Sequence, residues 1–471
     1  WLSQDANGKI TFSPRAQQII KVFEQAELEG FRPSDYLTPE LDVAAAGTDP
    51  AKLAALETAF SAATLRYAQD AYGGRVAPKE VNPLWTIAPK RIDAGEMLMK
   101  LARSENPGQI LLDLSPKGRE FLALKAALAK FYDGSVIDAA VTIPDGPLLK
   151  PGMTDERVTL LRQRLDVPQP EIPETAGTTA AVDIRYDEAL VEAVKAFQES
   201  LGLTPDGVVG PATVAALNGG SATTREDIIA NMERWRWEPE EYGDFYVWVN
   251  LPEFQLVIMN GDQVHYTTRV VIGTPKNQTP VFFDEIEHIV VNPYWNVPPS
   301  ILANEIGPRL AANPGYLASQ NMELLYGGKI INPAAVDWTV TSVRNFSVRQ
   351  RPGPGNALGQ IKFLFPNQHD VYLHDTPSKS LFQRSFRAYS HGCIRVQNPM
   401  EFADALLVNE PTITRASLES EFGPKERWNN LSRHIPVHLT YFTLRVDEDG
   451  TIRSFGDVYG ANKRLITLLG L

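Results

Sequence analysis

The spacing of apolar residues changes at about residue 220, and this change most constrains the possible fold. Before that point, Ala/Leu-rich segments such as 53–72 and 121–132 repeat apolar residues every three or four positions, which is typical of amphipathic helices. After it, short alternating or β-branched stretches such as Tyr246–Asn250 and Val437–Leu444 predict strands. We therefore expect an α+β multidomain protein with a β-rich C-terminal part.

Length and composition are those of a folded protein with several domains. At roughly 150 residues per domain, 471 residues predict about three domains, and 43% hydrophobic with 22% charged residues is typical of globular chains. The net charge is −12 and no Lys/Arg run could neutralise a phosphate backbone, so we expect no nucleic-acid partner. No apolar stretch approaches the ~18 residues of a membrane span. The chain opens with Trp1-Leu2-Ser3, so we expect any export signal or membrane anchor to be absent from this chain.

Three domains are predicted along the chain. Residues 1–150 read as a mainly helical scaffold that contains no Cys or His. Residues 151–219 form a small three-helix module, and residues 220–471 form the β-rich domain. Within the last domain, Pro/Gly-punctuated and helix-like sequence interrupts the strand pattern between about 298 and 350. Because so long an interruption is usually functional, we predict that it forms a cap over a site.

The three-helix module has one set of apolar positions per helix. The sets are Val158, Leu161 and Leu165; Leu190, Val194 and Phe197; and Val214 and Leu217, with a loop over 167–184 and a proline, Pro211, opening the third helix. Phe197-Gln198, followed by Asp206-Gly207-x-x-Gly210-x-x-Thr213, resembles the peptidoglycan-binding domain family. The resemblance implies binding to the cell wall.

The only cysteine, Cys393, lies two residues after His391, and a second histidine, His374, precedes both. A thiol with an ordinary pKa of about 8.5 is mostly protonated near neutrality, so a nucleophilic Cys needs a nearby base. Gly392 before the Cys would let the backbone bend and direct N–H groups at a developing oxyanion. The pattern therefore indicates acyl transfer through a cysteine nucleophile.

Three other interpretations of these residues compete. A zinc site built from Cys393, His374 and His391 would lack an evident fourth ligand. A buried structural cysteine would not require two flanking histidines. A papain-like protease places its Cys before its His, whereas here His374 comes first.

The motif His374, spacer, Ser390-His391-Gly392-Cys393 closely resembles the signature of the L,D-transpeptidase (YkuD-like) family. The match continues at Arg349-Gln350-x-Pro352-Gly353, Asn356-Ala357-Leu358-Gly359, Lys362-Phe363, Phe365-Pro366-Asn367, Leu373-His374-Asp375-Thr376-Pro377 and Arg387-Ala388. Asn292-Pro293-x-Trp295-Asn296-x-Pro298 resembles the strand and loop that lead into this family's substrate cap. Arg395 replaces an Asn of many relatives, as in the large, multidomain members with a peptidoglycan-binding module.

The resemblance implies a catalytic cycle. Cys393 would attack the carbonyl between the third and fourth residues of a peptidoglycan tetrapeptide stem, D-Ala would leave, and a thioester would form. A meso-diaminopimelate amine of a second stem would then resolve the thioester into a 3→3 cross-link. His374 would be the base and acid, oriented by a backbone carbonyl, that of Asp375. The amides of His391, Gly392 and Cys393 would form the oxyanion hole, with Ser390 fixing the loop.

The resemblance also implies substrate contacts, inhibitors and location. Arg395 and Arg387 would bind stem carboxylates, for which a planar guanidinium is suited, and Asn356 is a further candidate for substrate binding. Tyr372 and Trp295 would line the cleft. The mechanism needs no metal and no cofactor. Carbapenem β-lactams would acylate Cys393, and the protein would be periplasmic or otherwise in the cell envelope.

Two alternative functions are compatible with the same residues. An L,D-carboxypeptidase would employ the same thioester with water as the acceptor, and an anchored lipoprotein Lys could replace the stem amine. A non-catalytic peptidoglycan-binding protein would keep the fold alone. The binding protein has no reason to retain a unique thiol with two imidazoles, so the Cys/His/His set favours an enzyme.

Overall fold

The computed structural model describes residues 1–133, 143–144, 146–165, 167–170, 183–200, 204–210, 213–214, 216–217, 223–447 and 449–471. The chain forms two compact units, one of Trp1–Glu241 with Tyr441–Leu471 and one of Tyr242–Thr440. Among the described residues, no helix has the length and apolar character that crossing a membrane demands.

The first unit begins with a two-stranded hairpin, β1 (Leu2–Gln4) and β2 (Ile10–Phe12), and is otherwise mostly helical. Its helices are Pro14–Glu24, Val43–Ala46, Pro50–Gly73, Pro78–Val81, Ala94–Arg103, Pro107–Leu112, Arg119–Tyr132, Arg157–Arg164, Glu188–Ser200, Arg225–Trp237 and Ala461–Leu468. The longest begins where the Asp49 carboxylate accepts hydrogen bonds from two first-turn amides, and it ends at Gly74, whose φ is 83°. It buries Phe60 and Tyr67 against Phe23 in an aromatic core. The predicted helical segments 53–72 and 121–132 are confirmed.

The small module has the predicted core. Val158, Leu161, Leu190 and Val194 are buried together with Val214 and Leu217. The Gln198 side chain fixes the following turn, because its Oε1 accepts from Gly207 N at 2.9 Å and its Nε2 donates to Asp206 and Thr213. These motif residues therefore shape the fold. Pro211 and most of the predicted loop, 171–182, lie outside the described residues.

Long-range polar contacts hold the helix Arg225–Trp237 and the C-terminal segment within the first unit. Arg236, on the helix Arg225–Trp237, lies 3.6 Å from a Glu29 carboxylate oxygen, and Asn231 hydrogen-bonds Thr443. The C-terminal segment, with β16 (Leu444–Val446) and β17 (Ile452–Ser454), thus belongs to the first unit. The second unit consequently spans Tyr242–Thr440, which is shorter than the 220–471 predicted from the strand pattern.

The second unit contains a nine-stranded mixed sheet that closes on itself. The strand order is β13-β5-β14-β12-β11-β6-β15-β3-β4, and β4 also pairs with β5. The strands are β3 (Phe245–Asn250), β4 (Gln255–Asn260), β5 (Gln263–Gly273), β6 (Phe282–Val291), β11 (Ile361–Leu364), β12 (Leu373–His374), β13 (Ala388–Ser390), β14 (Ile394–Val396) and β15 (Arg427–Thr440). Helices Pro399–Leu406 and Arg415–Ser420 complete this unit outside the cap.

The insertion that was predicted to form a cap, called the cap below, is a subdomain with its own core. Its four strands, in the order β7-β10-β8-β9, are β7 (Trp295–Asn296), β8 (Met322–Tyr326), β9 (Lys329–Ile331) and β10 (Ser347–Gln350). Helices Pro299–Ile301, Gly307–Ala312 and Tyr316–Ser319 and a π-helical turn, Leu302–Ile306, precede β8. Leu310, Leu317, Leu324 and Val348 are buried among them. The interrupted segment is therefore a folded insertion, as its Pro and Gly residues indicated, but its small sheet was not predicted.

Candidate active site

Three adjacent strands bring the site residues together. In the β11–β12 pair Lys362 is opposite His374, and in the parallel β12–β14 pair His374 is opposite Arg395. Opposite residues of neighbouring strands share a face, so these three side chains leave the same face of the sheet. Cys393 immediately precedes β14, and the next residue, Ile394, donates its N–H to the Tyr372 carbonyl at 3.1 Å. The sheet thus places the cysteine beside the strand of the histidine.

His374 is buried and its ring has one defined hydrogen bond. Its Nδ1 lies 2.5 Å from the Asp375 carbonyl oxygen, as the family resemblance implied. Since a carbonyl only accepts, Nδ1 carries the hydrogen and Nε2 is left as the basic nitrogen. Burial, followed by the positive charge of Arg395, lowers the pKa of His374 to about 3. The imidazole is therefore neutral near neutral pH.

Cys393 is half-buried, and its sulfur contacts two residues on the β12 side. Sγ lies 3.8 Å from the Asp370 carbonyl oxygen, and Tyr372, whose hydroxyl and amide favour the thiolate, adjoins it. Burial raises the pKa of the thiol to about 11, while Tyr372 and Arg395 oppose that rise. In the part of the chain that the structure describes, no hydrogen bond joins this sulfur to His374. The resting site therefore holds a protonated thiol and a neutral imidazole.

The loop around Cys393 is held by internal hydrogen bonds. Ser390 Oγ donates to the Cys393 carbonyl at 2.5 Å and accepts from Gly392 N at 3.2 Å, and Thr279 Oγ1 donates to the Gly392 carbonyl at 2.7 Å. Gly392 has a φ of 118°, a conformation that other residues rarely adopt. Ser390 therefore fixes the loop as expected. The N–H of Gly392, predicted to face an oxyanion, donates to Ser390 Oγ within the loop.

The two histidines occupy different surroundings. His391 Nε2 lies 2.8 Å from Glu305 Oε1, on the π-helical turn of the cap, and both side chains are 47% exposed. His374 is enclosed next to the sulfur's partner Tyr372, with the two ring centroids 5.7 Å apart. His374 is therefore the candidate base, and His391 links the catalytic loop to the cap.

Two predicted substrate-binding residues are committed to the fold. The Arg387 guanidinium donates to the backbone carbonyls of Val270, Arg384, Ser385 and Phe254. The Asn356 side chain donates to the carbonyls of Pro293, Gln350 and Arg351 and accepts from Leu358 N. Because these groups are already bonded and both residues are buried, we correct their assignment from substrate binding to loop support.

The remaining predicted contacts are distributed over two parts of the unit. Arg395 lies within electrostatic range of both Cys393 and His374, and Tyr372 contacts the sulfur. Trp295 is on β7 and packs against the cap core. The Asp375 carboxylate accepts hydrogen bonds from Gln360 N and from the Lys379 ammonium. These bonds hold Asp375 in place, and its backbone carbonyl orients His374.

Sequence reasoning missed four residues at the site: Thr279, Glu305, Lys362 and Asp370. Lys362 could have been recognised from the sequence, because a lysine between Ile361 and Phe363 interrupts an apolar strand. Asp370 touches the sulfur through its backbone carbonyl, while Thr279 comes from a loop and Glu305 from the π-helical turn of the cap, both distant in sequence. The sequence pattern around those three residues gave no comparable signal.

Comparison with known families divides the chain in the same way. Residues 244–414 match the L,D-transpeptidase catalytic domain (YkuD), residues 1–128 a scaffold domain, and residues 155–217 a peptidoglycan binding domain. A Haemophilus influenzae protein named "Putative L,D-transpeptidase" is 31% identical over 243 residues, covering 51% of this chain and 49% of that protein. The chain thus spans about half the length of this curated relative.

Solved structures of L,D-transpeptidases are also similar to the chain. One from Xylanimonas cellulosilytica is 17% identical with a TM-score of 0.19, over 63% of this chain and 99% of that one. One from Mycobacterium smegmatis is 14% identical with a TM-score of 0.21, over 42% and 58%. These TM-scores are too low to support a family assignment, which depends on the family matches and the signature residues. Residues 244–414 form an L,D-transpeptidase catalytic domain of the YkuD family, in one chain with a scaffold domain and a peptidoglycan-binding domain.

Proposed function

We propose that this protein is a peptidoglycan L,D-transpeptidase that forms 3→3 cross-links through a thioester on Cys393. The observation that carries the proposal is the placement of the sole cysteine beside Tyr372 and the strand of His374, whose Nδ1 is fixed by Asp375. That arrangement leaves Nε2 as the group that can take a proton at the sulfur.

In the first half-reaction, the sulfur attacks the carbonyl that precedes D-Ala while His374 Nε2 accepts the thiol proton. The low pKa of His374 and the high pKa of the thiol disfavour a preformed thiolate–imidazolium pair. Proton transfer therefore accompanies attack, as general base catalysis requires. When the carbon–nitrogen bond breaks, His374 returns the proton to the departing D-Ala amine and the thioester remains.

In the second half-reaction, the neutral side-chain amine of a meso-diaminopimelate residue attacks the thioester. His374 takes a proton from this amine and returns it to the sulfur, which restores the thiol. The backbone amides of His391 and Cys393 stabilise the oxyanion of each tetrahedral intermediate. Arg395 binds a stem carboxylate, and Tyr372 and Trp295 line the cleft.

The cap shields the thioester from water until an amine binds. An acyl-enzyme exposed to water would hydrolyse, and closing subdomains exclude water while they position the second substrate. The folded insertion Trp295–Gln350 is joined to the catalytic loop by Glu305 and His391. The peptidoglycan-binding domain supports a cell-envelope location, with the wall polymer retained near the site.

Incubation with purified disaccharide-tetrapeptide, followed by mass spectrometry, tests the proposal. A dimer lighter by one D-Ala is the expected product, and Cys393→Ala is the matched control that should give none. Accumulation of tripeptide alone would indicate an L,D-carboxypeptidase. Unchanged substrate would indicate a protein that binds peptidoglycan without catalysis. β-Lactams of the carbapenem class should also add covalently to Cys393, detected as an intact-mass shift.

A further inference from the structure

A buried lysine lies opposite the candidate base His374 in the strand pairing, and the proposed mechanism does not use it. Lys362 is 8% exposed on β11, and its ammonium faces the rings of Tyr372 and Trp428, at 5.8 and 5.5 Å from their centroids. Trp428 itself is 54% exposed. Burial of an ammonium is costly unless nearby groups compensate it. The surroundings of Lys362 must therefore supply negative charge or aromatic faces.

The compensation available in the resting state is incomplete. The nearest carboxylate, that of Glu426, lies 3.9 Å from Lys362 Nζ. The same carboxylate also accepts hydrogen bonds from Tyr294 N at 2.9 Å and from Trp428 Nε1 at 3.2 Å. The two aromatic ring faces also attract the ammonium, but they carry no net negative charge. Lys362 is thus a buried cation whose only close carboxylate in the described chain is shared with two other donors.

The geometry directs this cation towards the sulfur. Tyr372, whose ring faces Lys362, adjoins Cys393, because the N–H of the next residue, Ile394, donates to the Tyr372 carbonyl; strand register places Lys362 opposite the base His374. A negative charge on Cys393 favours the charged form of Lys362, so each group stabilises the charge of the other. Charged and titratable groups from the neighbouring elements surround Lys362 and Cys393. They are His374 on β12, Arg395 on β14, Asp370 before β12, Glu426 before β15, and His288 on β6, which contacts Trp428.

We propose that Lys362 is a positioning residue of the nucleophile: its ammonium stabilises the negative charge that develops on Cys393 Sγ, and the carboxylate of Glu426 partly offsets that positive charge. The inference rests on the proposed function, in which this sulfur is the attacking atom. No new bond is involved, because the thiol proton still passes to His374. Lys362 and Arg395 then flank the sulfur with two positive charges, a role that the family match to 244–414 does not assign and to which Glu426 and Trp428 contribute from outside that match.

A purely structural role predicts a different result on substitution. Removal of one partner of a buried ion pair is destabilising, but the Glu426 carboxylate is 23% exposed and keeps its hydrogen bonds from Tyr294 N and Trp428 Nε1, so Lys362→Met is expected to fold with reduced stability. If Lys362 only filled space, the methionine variant would keep the thiol reactivity of the wild type. If its charge acts on the sulfur, the variant loses thiolate, and Lys362→Arg restores it.

Alkylation of Cys393 by iodoacetamide, followed by intact mass across the neutral and mildly alkaline pH range, separates these cases. Below the thiol pKa the rate follows the thiolate fraction, and a nearby opposite charge shifts a pKa by about one unit or more. Lys362→Met should therefore react about tenfold more slowly at each pH. Glu426→Gln, which removes the opposing charge, should react faster, and Lys425→Met, at an exposed neighbouring lysine, should match the wild type.

Equal rates for Lys362→Met and the wild type would overturn the proposal, as would changes of the same sign in the Lys362 and Glu426 variants. If Lys362→Met fails to fold, Glu426→Gln alone carries the test through the sign of its change. Iodoacetamide needs no peptidoglycan, so this outcome is independent of whether the enzyme forms 3→3 cross-links.

Discussion

The contact between Glu305 and His391 should control how often the thioester is lost to water. We expect Glu305→Gln to weaken the attachment of the cap to the catalytic loop, since it removes the carboxylate charge at the 2.8 Å contact. Both side chains are 47% exposed, and exposed ion pairs contribute about 0.2–1 kcal/mol. At about 1.4 kcal/mol per factor of ten, this energy changes the ratio of closed to open cap by at most about fivefold.

The assay is the ratio of cross-linked dimer to tripeptide formed from disaccharide-tetrapeptide, measured by mass spectrometry. For Glu305→Gln this ratio should fall by up to about fivefold, while acylation by a small carbapenem stays at the wild-type rate. Asp404→Asn is the matched control, because it removes the same charge from an exposed site on the helix Pro399–Leu406, outside the cap. An unchanged ratio, or an equal loss of carbapenem acylation, would refute the account of the cap.

Three other perturbations test the site. His374→Ala should lower acylation by about 10²–10⁴-fold, and added imidazole should rescue it but not His391→Ala; rescue of the latter alone would exchange the two roles. Because the pKa of His374 falls from 6.5 to about 3 on folding, the unfolded chain binds the extra proton in that window, so stability falls as pH drops through it. The free energy of unfolding of His374→Gln, measured in urea, should therefore depend less steeply on pH, by about 1.4 kcal/mol per pH unit. The remaining slope would come from His438, whose pKa falls to about 4. Gly359→Ala should reduce both stability and turnover, since φ is 62° and the new Cβ would lie 2.2 Å from the carboxylate of Asp375; unchanged activity would contradict the link between that carboxylate and His374.

The parts of the fold that were predicted from the sequence rest on local patterns. Three- and four-residue spacing located the helix Pro50–Gly73, and β-branched alternation located β3 and the last four residues of β15. The order His374 before Ser390-His391-Gly392-Cys393 identified the nucleophile region, and the family resemblance correctly implied that the Asp375 carbonyl holds the imidazole. These features are encoded within short stretches of chain.

The features that were not predicted depend on contacts between distant residues. The return of Tyr441–Leu471 to the first unit follows from burial of the Arg225–Trp237 helix and from the contact of Asn231 with Thr443. Arg387 looked like an anion-binding residue because a guanidinium suits carboxylates, but carbonyls from three parts of the chain already surround it. The sequence gives the chemical type of each side chain, whereas its hydrogen-bond partners depend on how distant segments pack.

The central claim is that Cys393 carries the acyl group of the stem peptide. Rapid quenching of the enzyme with disaccharide-tetrapeptide, followed by intact mass and peptide mapping, measures this directly. We predict an adduct equal to the substrate minus D-Ala, located on the peptide that contains Cys393 and absent from Cys393→Ala. Turnover by Cys393→Ala, or an adduct on another residue, would contradict the account.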